Sequence, residues 1–174
     1  MAKIIGRPMC GERKKEIMSR IKFDDCDKPL VDSGYWNITT NGYVRGRING
    51  SRKLIFLHRE IIKCPNGLMV DHINGDKLDN RRDNLRIVNR SQNSMNSVKP
   101  KNGKSTCEYK GVLKKKNYSG WHARIRIPSP NGTRGKQVTL GMYPCPTLAA
   151  MAYDSASRKY FGEYAKPNFS GAKK

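Results

Sequence analysis

Acidic residues are scarce in this chain: 14 Asp and Glu stand against 35 Lys and Arg among 174 residues, a formal net charge of +21. An imbalance of that size favours a polyanionic partner, whose phosphates a basic surface neutralises with release of counterions. Long apolar runs are lacking as well. None approaches the roughly 20 residues of a membrane span, and Met1 to Gly11 holds no apolar core of signal-peptide length. A polybasic membrane-surface protein is the plainer alternative, but the lipid anchor, amphipathic helix or basic cluster beside a span that it needs is not visible. The five cysteines, Cys10, Cys26, Cys64, Cys107 and Cys145, are odd in number and never form a C-x-x-C pair. That argues against a disulfide scaffold and against a thiolate zinc site, and for free thiols in a reducing cytosol. A soluble, cytoplasmic protein is expected.

The length fits two small domains better than one medium one. Up to Val98 there are 19 basic against 11 acidic residues, and from Lys99 onward 16 against 3. Both halves suit nucleic acid, the second more so. Glu12 to Ile21 predicts two or three helical turns with Ile17 and Ile21 on one face, ahead of the acidic cluster Asp24, Asp25 and Asp27; no function is assigned to residues 1–34. From Tyr35 the pattern turns to short strands. The runs Tyr43–Ile48 and Lys53–His58 flank Asn49-Gly50, a strong hairpin signal. In the first run Arg45 and Arg47 share a face, open either to phosphates or simply to solvent. The stretch Val98–Ser105 is basic, holds Pro and Gly and lacks apolar periodicity, which marks a linker over 99–107.

Chemistry concentrates in Val70-Asp71-His72-Ile73-Asn74-Gly75-Asp76, followed by Asn80, Asn84-Leu85-Arg86 and Gln92-Asn93. A hard divalent cation takes oxygen ligands, and phosphodiester hydrolysis needs a base near neutral pH, which imidazole supplies. Asp71 and the side-chain carbonyl of Asn93 are candidate ligands, and His72 is the candidate base. The reading of Leu68 to Asn96 is strand, turn-rich loop, short strand at Leu85–Val88, and a helix capped by Asn89 with Gln92. Asn93 has a duller reading as a helix-start residue, with Asn96 one turn on taking a metal or DNA contact. Arg59, Arg81, Arg82, Arg86 and Arg90 are too many for a core and form a candidate phosphate-facing set, with Arg86 aimed at the scissile group. His58 packs or touches a phosphate, and is a poor second candidate for the base.

From about Tyr35 to Asn96, including Leu57-His58-Arg59, these residues resemble the HNH endonucleases, in particular their phage and intron-borne homing branch. The resemblance implies a ββα-metal fold binding one Mg²⁺ or similar ion, with hydrolytic cutting or nicking of DNA. It implies His72 as general base, Asn84 as the residue fixing the loop that carries the base, and Asp71 with the final-position residue as metal ligands. That final residue is His in many relatives and Asn93 here, an oxygen-only set that favours Mg²⁺ or Mn²⁺ over Zn²⁺.

After the linker come three strand-sized pieces, Tyr109–Leu113, Trp121–Ile127 and Lys136–Leu140, then a helix over Thr147–Phe161. Thr147 is its expected N-cap, Gly162 its stop, and Leu148, Met151, Ala152 and Ser155 its expected core face. Three strands covered on one face by a helix leave a basic sheet face that suits a major groove. Lys110, Lys114, Lys115, Lys116, Arg124 and Arg126 are the candidate DNA contacts. Trp121 is either core or set against a sugar, while Tyr153, Asp154 and Asn168 read as residues hydrogen-bonding helix to sheet. The order Tyr109-Lys110-Gly111-Val112, Trp121–Arg126, Leu140–Tyr143, Ala149–Asp154 and Phe161–Phe169 looks like an Apetala-two/ethylene-response-factor domain over about 108–170. Its scaffold residues match better than its base-reading ones, so the plant-type target sequence does not carry over.

The expectation is an α+β protein: an HNH module over 35–98, a linker over 99–107, a three-stranded antiparallel sheet packed on one helix over 108–170, and a tail over 171–174. It acts on double-stranded DNA as a monomer or weak dimer, with no protein partner evident, in the cytoplasm of a phage-infected host. The other readings are a non-catalytic DNA-binding regulator and a restriction or defence nuclease.

Overall fold

A computed structural model describes residues 11–97, 107–114, 119–129 and 135–169. The chain is α+β and divides into two compact units, Met1–Asn89 and Arg90–Lys174. Among the described residues no helix is long and apolar enough to cross a membrane.

The first unit opens with helix α1 (Gly11–Arg20), a 3-10 turn at Asp25–Asp27 and helix α2 (Lys28–Asp32). Strands β1 (Gly34–Ile38), β2 (Val44–Ile48) and β3 (Ile55–Phe56) form an antiparallel sheet in that order. Asn49-Gly50 forms the expected tight turn, with φ of 48° and 72° at its two central residues, and β2 pairs antiparallel with β3, but that strand starts only at Ile55 and not at Lys53. The strand expected to reach His58 stops at Phe56, because Leu57–Ile61 coils into helix α3 and buries Leu57, His58 and Ile61 together. Residues 11–34, read from the sequence as separate from the nuclease module, supply its core. Ile17, Ile21 and Val31 are buried with Trp36, Val44, Leu57, Ile61, Val70 and Leu85. Trp36 donates its indole N–H to the Val31 carbonyl at 2.9 Å, and Gly46 leaves room for the ring and the neighbouring strand, since a Cβ there would meet Trp36 Cε3 at 2.7 Å and the Tyr35 carbonyl oxygen at 2.2 Å. Strands β4 (Met69–His72) and β5 (Leu85–Val88) make a separate antiparallel hairpin, joined by the loop 73–84.

The second unit begins with helix α4 (Arg90–Met95), followed by the antiparallel sheet of β6 (Val112–Lys114), β7 (Trp121–Ile127) and β8 (Lys136–Tyr143), and by helix α5 (Pro146–Phe161). The first strand is shorter than expected because residues 109–111 form a turn, with Gly111 at φ +77° and no room for a Cβ beside the Tyr153 ring. Helix α5 starts one residue early, on Pro146, so Cys145 and not Thr147 is its N-cap; proline, which has no N–H, fits the first turn, where no intrahelical donor is required. Gly162 ends it as expected, at φ 54°. Its core face is corrected as well. Leu148 and Met151 are 45% and 55% exposed, and the buried stripe is Ala149, Ala150, Tyr153, Asp154, Ser157 and Phe161. Both stripes have helical spacing, but the one with two alanines lets the helix approach the sheet closely at Ala123, which is fully buried.

Asp154 ties residues 168 and 169 to helix α5, and Asn168 carries the link on to Lys110 in the turn before β6. Its buried carboxylate accepts the Asn168 and Phe169 backbone N–H groups at 2.7 and 2.9 Å and the Asn168 side-chain amide at 2.9 Å. Asn168 in turn accepts the Lys110 backbone N–H at 2.6 Å. Hydrogen bonds to an ionised acceptor contribute about 1.5–3 kcal/mol each, so this network anchors residues distant in sequence.

Candidate active site

Asp71 and His72 end β4, and register places Asp71 opposite Arg86 and His72 opposite Leu85 on β5. The Arg86 guanidinium donates from Nε at 2.9 Å and lies with Nη2 at 2.7 Å, both on Asp71 Oδ2. Arg86, expected to meet a scissile phosphate, is thus spent on the carboxylate across the hairpin. The pair is largely buried, with side-chain exposures of 14% and 8%, and removal of the arginine would strand a carboxylate away from water.

The connecting loop is closed by Asn84. Its Oδ1 accepts the Asn74 N–H at 3.0 Å, its Nδ2 donates to the Asp79 carbonyl at 2.7 Å, and its own carbonyl accepts the Ile73 N–H at 2.9 Å. Asn74 and Asp76 add side-chain turns inside the loop, Asn74 Oδ1 accepting from the Asp76 N–H and Asp76 Oδ1 from the Leu78 N–H. Turn residues of this kind let their own side chains take over backbone hydrogen bonding. Asp79, also buried, accepts a two-point hydrogen bond from Arg81 at 2.7 and 2.8 Å, which with burial opposing it brings the carboxyl down to about 2.

His72 is 5% exposed. Burial lowers its pKa, and the Asn80 side chain and the carboxylates of Asp71, Asp76 and Asp79 oppose that shift. Its ring meets the His58 ring edge-on at a centroid distance of 5.2 Å and the Tyr43 ring at 6.1 Å. His58 is itself stacked on Phe56 at 5.5 Å. Sequence reasoning missed this aromatic wall; the available signal was the apolar company of His58 in Leu57–Ile61. His58 is not a base facing solvent. Burial first, then the neighbouring His72 and Arg59, bring its pKa down to about 3.

That depression has a measurable consequence. With a folded pKa below the unfolded value of about 6.5, the unfolded chain takes up the proton first. The stability tied to neutral His58 is therefore complete above pH 6.5 and lost as pH falls toward 3, at about 1.4 kcal/mol per pH unit. Urea unfolding at pH 6, 5 and 4, followed by Trp36 fluorescence in a Trp121→Phe background, should show a shallower loss in His58→Phe than in its parent. Equal slopes would refute the assignment.

Three further arginines of the expected phosphate-facing set have intramolecular partners. Arg59 donates to the carbonyls of Leu68, Cys64 and Pro65 and braces that loop. Arg81 pairs with Asp79, and Arg82 with Asp27. Arg45 and Arg47 do lie on the exposed face of β2, opposite Asn37 and Tyr35. Asn93 sits half-buried on α4, in the second unit, and Asn96, buried, follows the end of that helix.

On the second unit's sheet, Arg124 and Arg126 alternate outward with Ala123 and Ile125 buried between and beside them. Arg126 leans on the Gly135 carbonyl and the Gln137 side chain, each at 3.1 Å. Lys114 is exposed, its ammonium 5.5 Å from the half-buried Trp121 ring. Lys110 does not face outward as expected: its ammonium donates to the Met95 and Ser97 carbonyls at 2.7 Å, and burial brings its pKa to about 8. Lys115 and Lys116 lie outside the described residues.

The HNH endonuclease family model matches residues 63–95, a span that contains the hairpin, its loop and α4. A protein of Acanthamoeba polyphaga mimivirus described as an uncharacterized HNH endonuclease is 31% identical over 150 residues, 84% of this chain and 73% of the viral one. The chain belongs to the HNH endonuclease family. Over its C-terminal region this HNH endonuclease is also similar to plant proteins. The dehydration-responsive element-binding protein 2A of Oryza sativa is 39% identical over 66 residues, 38% of this chain and 22% of the rice protein. The dehydration-responsive element-binding protein 2D of Arabidopsis thaliana is 41% identical over 64 residues, 37% of this chain and 29% of that protein. The chain thus spans less than a third of either plant relative.

Proposed function

We propose that the chain is a divalent-metal-dependent DNA endonuclease of the homing type, which hydrolyses a phosphodiester at a site chosen with its second unit. The observation that carries this reading is the β4–β5 hairpin: Asp71 clamped by Arg86, with His72 next to it and Asn84 stitching the loop between them.

Each group has a role. His72, neutral near pH 7 because burial depresses its pKa, accepts the proton of the attacking water. Asn84 fixes the loop beside the base, and Asn80, fully buried next to His72, sets the polar side of its ring. Arg86 holds Asp71 in place as a positioning residue. The donor set proposed, from residue type and the family resemblance, is the Asp71 carboxylate with the Asn93 amide oxygen. Hard oxygens of this kind fit Mg²⁺, which keeps several of its waters, and Mn²⁺, rather than Zn²⁺. When bound, such an ion stabilises the charge that develops on the phosphate and leaving oxygen.

Arg45, Arg47, Lys114, Arg124 and Arg126 are the described cations we assign to DNA, with Trp121 against a sugar. The similarity to plant proteins named for binding a DNA element supports that division. One site per chain makes a monomer a nicking enzyme and leaves a double-strand break to two chains. The same reading sets the work in the cytoplasm of an infected cell. Supercoiled plasmid incubated with the protein in Mg²⁺ or Mn²⁺ should convert to open circles, and EDTA should stop the conversion. Cutting that persists in EDTA, or no cutting with either ion, would overturn the proposal.

A further inference from the structure

The N-terminal segment does more than fill the core. Residues 22–27 run alongside the loop that closes over His72 and bind it at successive points. The Lys22 N–H donates to the Leu78 carbonyl at 2.9 Å, and the Asn80 N–H donates to the Lys22 carbonyl at 2.7 Å, forming a one-residue parallel bridge. Two residues on, Asp24 Oδ2 accepts the Arg82 N–H at 2.8 Å. Asp27 then receives the Arg82 guanidinium on both oxygens, Nε on Oδ2 at 2.9 Å and Nη2 on Oδ1 at 2.6 Å.

We propose that Asp27, through its two-point grip on Arg82, is a positioning residue for the catalytic loop. The inference rests on the nuclease reading above. Arg82 lies two residues from Asn80, which abuts His72, and two from Asn84, which closes the loop. A shift of Arg82 therefore displaces both asparagines at once. An exposed ion pair would contribute little; here the Arg82 side chain is half-exposed, but Asp27 is only 4% exposed and both its oxygens are occupied by one planar guanidinium, the geometry that fixes orientation as well as charge. Asp24 and the Lys22 bridge fasten the same stretch through its backbone, so the loop is held from outside the hairpin as well as from within. An acidic cluster in so basic a chain has its purpose here: Asp24 and Asp27 serve an arginine 55 or more residues away.

The test uses the full-length protein. Asp27→Asn keeps the shape of the side chain and removes its charge, and Arg82→Lys keeps the charge and removes the second point of contact. At saturating plasmid in Mg²⁺, both variants should lose on the order of ten- to a hundredfold in kcat with KM unchanged. Combined with Asn84→Ala, Asp27→Asn should cost less than the product of the two separate losses, since both act on one loop. In ¹⁵N-resolved NMR of the histidine side chains, taken without metal or DNA, the His72 signal should move or broaden in the folded molecules of both variants. Unchanged kcat, or a loss of activity that matches the loss of folded protein while the His72 signal stays in place, would overturn the proposal. Should the parent protein fail to nick DNA, the nuclease reading fails, and the His72 signal alone still decides whether Asp27 positions the loop.

Discussion

His72→Ala should leave the protein folded and bound to DNA while slowing cleavage by on the order of a hundred- to ten-thousandfold, the usual contribution of a positioned general base. The ring is buried, its charged form is disfavoured by that burial, and Asn80 together with three nearby carboxylates keeps the shift from running further. A base so placed is ready to accept a proton near neutral pH. The surrounding wall of Tyr43 and His58 fixes where it points. Alanine removes the proton acceptor but leaves Arg45, Arg47 and the second unit's cations in place, so affinity should hardly change. Single-turnover cleavage in Mg²⁺ beside a filter-binding titration separates the two effects. Near-normal cutting by His72→Ala would sink the assignment, and a parallel collapse of binding would turn it into a folding defect.

The elements easiest to read were those whose signal is local. Asn49-Gly50 specified its turn because a two-residue turn needs positive φ at both positions. The β7 arginines were legible because alternation along a strand sorts faces directly. The fate of the other arginines was not. Nothing near Arg82 in sequence announces Asp27, and nothing near Arg59 announces the carbonyls of the 64–68 loop; an arginine meant for phosphate and one meant for a distant carboxylate look alike until the chain is folded. The same limit hid the role of residues 11–34, whose apolar positions make sense only against Trp36 and Leu57. On α5 two stripes had equal periodicity, and the choice between them lay in how closely Ala149 and Ala150 can approach Ala123. In the candidate site, residue types and spacing singled out Asp71, His72 and Asn84, whereas the pairing of Arg86 with Asp71 follows from strand register, which the sequence does not display.

Residues 90–174 alone should bind duplex DNA without cutting it, and should lose about a thousandfold or more in affinity between 50 and 200 mM salt if six or more phosphates are engaged. The fragment begins at Arg90 for a structural reason. Met95 packs against the core of Ile125, Tyr153 and Phe161, and the Lys110 ammonium is tied to the Met95 and Ser97 carbonyls. A fragment begun at the expected linker would forfeit those contacts and leave a half-buried ammonium without its acceptors, at a cost of about 1–3 kcal/mol or more. From Arg90 onward the chain has 17 basic and 3 acidic residues, and the sheet presents Arg124 and Arg126 on one exposed face. Phosphate contacts made from such a face set affinity and its salt slope, while contacts to base edges set sequence preference. Arg124→Ala should therefore weaken binding and reduce the slope by about one if it contacts a single phosphate, and should change preference only if it reaches a base. Footprints of the fragment and of the full chain on the same cleaved site supply the check. Coincident protection over part of the site supports targeting by the second unit. A fragment that fails to bind at low salt would move site choice to the first unit, where Arg45 and Arg47 form the exposed basic strand face.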